Sequence, residues 1–124
     1  MMQTEMLPQG CVLSLRIAKP WIPLTAENLA RLPAELGVFE IADSDGQTLF
    51  IGYAGGRSLF GLRSELEAVR TRWPERSLSF RAEVTSQYLS RHEELLMVHK
   101  AEHGTLPREN VADSNRRIGR LSPG

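Results

Sequence analysis

The stretch GVFEIADSDGQTLFIGY, residues 37–53, constrains the fold more than any other part of the chain. GVFEIA and QTLFIGY are rich in β-branched and aromatic residues, which suit a pleated, half-buried surface. The intervening DSDG supplies turn chemistry, with Gly46 free to take a positive φ. These residues predict a β-hairpin. A glycine cluster, Gly52, Gly55 and Gly56, follows directly and leads into Arg57.

From Ser58 the period changes. Leu59, Leu62, Leu66 and Val69 recur at i, i+3, i+7 and i+10, which predicts an amphipathic helix over 58–71 that stops before Pro74. SLSFRAEV, residues 77–84, alternates again and predicts a third strand. Thr85 or Ser86 then caps a longer helix running to His103, with Gly104 as its terminator. At about 100° per residue, Tyr88, Leu89, Leu95, Leu96 and Val98 define its buried face, and Glu93 and Glu94 lie on the two borders. Upstream, CVLSLRI (11–17) alternates like an edge strand ahead of Pro20 and Pro23. Thr25 offers a cap for the short helix AENLARL, which Pro33 ends. Residues 105–124 have no period and predict an extended tail that packs in part. The order predicts an α+β domain: a small three-stranded antiparallel sheet with flanking helices, the third strand joining the hairpin's sheet after a helix crosses over it.

At 124 residues the chain fits a single domain, 1–124, with a two-layer core. Its 41% hydrophobic and 24% charged residues are ordinary for a globular protein and suggest neither disorder nor a fibrous repeat. No apolar run approaches the ~20 residues of a membrane span. The opening MMQTEMLPQG has neither the basic start nor the apolar stretch of an export signal, so the expected location is the cytoplasm. The single Cys11 has no partner for an internal disulfide and reads as a small apolar strand residue. Fifteen basic and fifteen acidic side chains leave no net charge, hence no global attraction to nucleic acid. The local distribution is uneven: Glu27, Glu35, Glu40, Asp43 and Asp45 precede Arg57, Arg63, Arg70, Arg72 and Arg76, so a neutral chain still has material for a basic face.

The glycines let the backbone turn sharply and approach a ligand, and N–H groups at the start of the following helix suit a phosphate. A tight strand-to-helix corner with no ligand is the plain alternative. The spacing G-x-x-G-G is not a dinucleotide fingerprint. Arg63 and Arg70 share one flank of the helix stripe, where they either snorkel into a cleft or form surface ion pairs. His92, His99 and His103 fall near the centre of the last helix's face. His99 and His103 have the i, i+4 spacing of metal ligands, but no Cys is near and no Glu follows the first histidine, so packing histidines fit better.

Five landmarks in this order resemble the GIY-YIG nuclease domain. Gly37-Val38-Phe39 and Phe50-Ile51-Gly52 stand at the two strand motifs, Arg63 in the next helix, Glu93 or Glu94 in the last, and Pro107-Arg108-Glu109-Asn110 at the closing P-x-x-N. The resemblance covers about residues 33–110. It implies nucleic acid, DNA in particular, as partner; the contacts expected on this chain are Gly55, Gly56, Arg70 and Asn110, with Arg57 the second choice for a phosphate. It implies a catalytic set at Phe39, Phe50 and Arg63, and Mg²⁺ or Mn²⁺ at Glu93 or Glu94; Tyr53 is the candidate for a substituting hydroxyl. In such a set a tyrosine hydroxyl activates or positions water, the arginine stabilises charge on the phosphate, and the metal stabilises the leaving oxygen. Here both motif tyrosines are phenylalanine, which keeps the packing and loses the hydroxyl, about 10²- to 10⁴-fold in rate. The interval between Glu93 and Pro107 is also longer than in the family. Tyr53, three residues past Phe50, points to the opposite strand face unless Gly52 bends the chain. The expectation is a nucleic-acid-binding domain with weakened or lost endonuclease activity. The alternative is an inactive interaction module that keeps the fold and binds a protein partner.

Overall fold

The computed structural model describes residues 16–74 and 76–112. Its elements are β1 (Ile22–Pro23), α1 (Ala26–Leu29), β2 (Gly37–Ala42), β3 (Thr48–Ala54), α2 (Gly61–Arg72), β4 (Ser79–Val84) and α3 (Tyr88–His103). A further helical turn spans 108–112. The class is α+β, with one antiparallel sheet of order β1-β4-β2-β3.

The hairpin forms where the sequence places it. Val38 faces Tyr53, Phe39 faces Gly52 and Ile41 faces Phe50. Gly46 has φ +84°, and Asp43 Oδ1 accepts from the N–H groups of Asp45 and Gln47, closing the turn. β4 pairs with the other edge of β2, so GVFEIA is the central strand and is buried along its whole length.

The sheet has four strands rather than three. The additional one is the two-residue pairing of Ile22 and Pro23 with Phe80 and Ser79. Pro23 is tolerated because β1 lies at the sheet edge, where its missing N–H is not needed. The strand expected at 11–17 lies mostly outside the described residues, as does Cys11. Arg16 and Ile17 are not in a strand, and Ile17 is buried. The tail beyond 112 also lies outside the described residues.

The strand period divides the core in two. On one face Phe39, Ile41 and Phe80 pack with Leu62, Leu66 and Val69 of α2; on the other Val38 and Ile51 pack with Leu95 of α3 and with Ile17. α2 starts three residues later than the stripe predicts. Gly61 takes φ +58° against the backbone of Glu35, whose carbonyl accepts from Leu62 N–H, and Leu59 is left 82% exposed. Gln87, not Thr85 or Ser86, holds the N-cap position of α3, while Thr85 Oγ1 accepts from Gln87 N–H two residues ahead of it. Gly104, φ +81°, ends α3 as expected. Leu89 is exposed rather than buried. Among the described residues no helix is long and apolar enough to cross a membrane.

Candidate functional site

The two sheet faces separate the residues that the resemblance groups together. Phe39 is fully packed on the α2 face, and half-buried Phe50 leans on it with ring centroids 6.1 Å apart. Gly52, opposite Phe39, leaves the space both rings occupy. Arg63, on α2, donates from Nε and Nη2 to the carbonyl of Leu32 at 3.1 and 2.6 Å. It thereby ties down the chain after α1. Arg70 is bound to Glu67, one turn back, whose hydrogen bond and charge raise its pKa.

Glu93 and Glu94 lie on α3, across the sheet from Arg63. Glu93 is exposed; Glu94 accepts from Arg91 Nη1 at 2.6 Å. Arg91 also forms a two-pronged pair with Glu83 at 2.9 and 3.0 Å. Burial works against its charge, and Glu83 and Glu94 outweigh that, so its pKa is raised. The expected centre is therefore not assembled: Arg63 and the glutamates face apart, and Glu94 shares Arg91 with Glu83. Among the described residues no group of three His, Cys, Asp or Glu is placed to hold a metal ion. A single Mg²⁺ or Mn²⁺ on one glutamate, as the resemblance implies, would compete with Arg91 at Glu94, whereas Glu93 is exposed.

A different set does come together, at the glycine corner. Tyr53 points to the α3 face, as the strand period requires, with Gly52 in the strand and no bend between them. Its ring stacks on Tyr88 with centroids 5.6 Å apart and planes 22° apart, and meets His92 edge-on at 4.9 Å. Tyr88 and His92, four residues apart, share one face of α3. Gly55 makes this stack possible: a Cβ there would lie 2.9 Å from Tyr88 Cε1. Gly56 N–H donates to the Tyr88 hydroxyl at 3.3 Å. Ser58 Oγ donates to Glu65 Oε2 at 2.7 Å on the far wall.

The result is an open cleft of about 480 Å³ lined by Tyr53, Gly55, Gly56, Arg57, Ser58, Glu65, Tyr88 and Leu89. That volume lies within the range of small-ligand sites. Arg57 is exposed at its rim, and among the described residues no carboxylate pairs with it. Tyr53 is 40% exposed. The corner thus offers an aromatic surface, a guanidinium and backbone that a ligand can approach closely.

Asn110 supports the cleft from behind. Its Oδ1 accepts from Ile51 N–H at 2.8 Å, and its Nδ2 donates to Ile51 O at 2.9 Å. His92 Nε2 meets the same carbonyl at 3.0 Å, which requires its proton on that nitrogen. Asn110 therefore braces the strand rather than reaching into the cleft.

Of the expected site, Tyr53, Gly55, Gly56 and Arg57 are brought together; Phe39, Phe50, Arg63, Arg70, Glu93 and Glu94 are not. Tyr88, Leu89, Ser58 and Glu65 were missed as cleft residues, and His92 as the ring behind Tyr53. The helix period put Tyr88 on the inward face of α3, but no periodicity tells which corner of the sheet that face meets. His99 and His103 lie elsewhere, rings 4.4 Å apart, with His99 Nδ1 donating to the carbonyl of Thr105.

A family model described as a domain of unknown function (DUF7508) matches residues 15–102. No curated protein and no solved structure matches the chain.

Proposed function

The chain belongs to the DUF7508 family, whose function is unknown; from its residues and geometry we propose that it is a GIY-YIG-like nucleic-acid-binding domain that binds at the glycine corner and does not cleave. One observation carries the reading: the stacked Tyr53–Tyr88 pair stands beside Gly55, Gly56 and Arg57, and no carboxylate of the described residues pairs with Arg57. Bases stack on aromatic faces whatever their sequence, and arginine binds the phosphate. The resemblance to GIY-YIG domains is supported by Asn110 of the P-x-x-N stretch, which is held against Ile51 of the second strand motif from 59 residues away. The loss of cleavage follows from the dispersal of Arg63, Glu93 and Glu94 and from the two phenylalanines, which have no proton to exchange.

Fluorescence anisotropy with labelled single-stranded and duplex DNA tests this. Single strands bind with salt-dependent affinity, and Tyr53→Ala weakens binding by about 5- to 150-fold, the worth of one stacked base. Arg63→Ala, Glu93→Ala and Glu94→Ala leave affinity unchanged, and no variant or parent cuts plasmid or branched DNA with Mg²⁺ or Mn²⁺. Affinity unaltered by Tyr53→Ala, or cleavage lost with Glu94→Ala, overturns the reading.

A second reading, an interaction module for a protein partner, has its own observation. Leu59 and Phe60 are 82% and 54% exposed beside a largely apolar groove of about 370 Å³ between α1 and α2. It is favoured if no oligonucleotide binds.

A further inference from the structure

The cleft does not end the basic and aromatic surface. β3 is an edge strand, and its open side is crossed at Ile51 by the segment carrying Asn110. The neighbouring Glu109 approaches Arg76 at 3.7 Å, so this segment lies between the β3 edge at Ile51 and the residues that follow α2. There Trp73 packs edge-on against Phe50, with ring centroids 6.3 Å apart. The guanidinium of Arg72 lies 4.7 Å from the Trp73 ring and that of Arg76 lies 5.2 Å from it; Arg72 also stands 6.0 Å from Phe50.

A guanidinium over an aromatic ring is fixed in place while its in-plane N–H donors stay free. Among the described residues Arg72 has no hydrogen-bond acceptor or carboxylate, and the Arg76–Glu109 contact exceeds hydrogen-bond length. Both arginines are exposed, as is Arg108 on the connecting segment. Along this route Arg57, Arg108, Arg76 and Arg72 outnumber Glu65 and Glu109, in a chain that is neutral as a whole. The distance along β3 from Phe50 to the corner is roughly 17 Å.

Resting on the nucleic-acid reading above, we propose that a single strand runs from the Tyr53–Tyr88 cleft along the β3 edge, and that Arg72 and Arg76, preset on Trp73, hold its phosphates at the far end. Duplex DNA is disfavoured as the occupant, because the stack in the cleft needs an unpaired base.

Anisotropy with fluorescein-labelled oligothymidylates of about three and about twelve nucleotides, below and within the usual site sizes, separates the two ends. The Arg72→Ala/Arg76→Ala double variant weakens binding of the long oligomer about tenfold or more. It also lowers the slope of log K against log salt by about one, and leaves the short oligomer unaffected. Tyr53→Ala weakens both. Arg72→Lys/Arg76→Lys, which keeps charge without the planar fork, retains the salt slope and recovers part of the affinity. If the double variant binds the long oligomer like the parent while Tyr53→Ala loses both, the edge path is wrong and the cleft stands. If neither oligomer binds the parent protein, both proposals fall.

Discussion

Asn110 is the residue whose role is most sharply defined by geometry. One side-chain amide bonds both backbone groups of Ile51, on a strand edge that no other strand of the described residues pairs, a place where unpaired groups invite another chain. Asn110→Ala removes both bonds and is expected to cost about 1–3 kcal/mol, read by urea unfolding, with faster hydrogen exchange at the Ile51 amide. Asn110→Asp keeps the acceptor and loses the donor, so it falls between parent and alanine. His99 carries a pH dependence. Burial lowers its pKa below the usual 6.5, Thr105 raises it, and His103 lowers it further. The folded state therefore favours the neutral ring, and the unfolded state binds more protons below pH ~6.5. Stability is fully present above that pH and falls as the pH drops through the folded-state value. His99→Asn is expected to flatten this limb of a stability-against-pH curve; an unchanged limb assigns it to other groups.

Each element depends on one or two local choices. α2 begins only because Gly61 can hold a left-handed conformation against the backbone of Glu35. Gly61→Ala combines a cost of about 1–2 kcal/mol for that conformation with a steric clash. Chemical denaturation is expected to show a loss above about 2 kcal/mol, whereas Gly46→Ala in the exposed hairpin turn, where a Cβ meets nothing, shows only the conformational part. Arg63 acts at the same scale, as a clamp on the carbonyl of Leu32. Arg63→Ala is expected to lower the melting temperature while oligonucleotide affinity stays the same. The helix stripe of Leu62, Leu66 and Val69 was legible, and so was the Gly104 stop. Leu59 was not: it satisfies the same period, but the chain turns at Gly61 before the helix starts, and periodicity carries no information about where a turn is sterically forced.

At the scale of the molecule, the central strand links both layers. Glu40, 7% exposed on β2, accepts from Arg81 Nε on β4, and the Arg81 guanidinium lies 4.3 Å from the Trp21 ring next to β1. This chain of contacts joins three of the four strands. Arg81→Leu leaves the carboxylate buried without its partner and is expected to cost about 3 kcal/mol, the low end for breaking a buried pair. Glu40→Gln/Arg81→Leu together recover part of that loss in a double-mutant cycle, because the stranded charge is gone.

The hairpin, the crossing helix, the third strand and the last helix were determined by the chain's own periodicity, because alternation and the 3.6-residue repeat are local properties of the backbone. The left-handed Gly46 and Gly104 belong to the same category. Only the tertiary structure decided which of these elements share a face. It placed Arg63 on one side of the sheet and Glu93 and Glu94 on the other, and it brought Tyr88 from α3 onto Tyr53 over the glycine corner. It also formed β1 from two residues too few to leave a pattern. The reason is physical: a strand exposes alternate residues to opposite layers, so motifs that are neighbours in order become neighbours in space only if the layer covering each face supplies the partner.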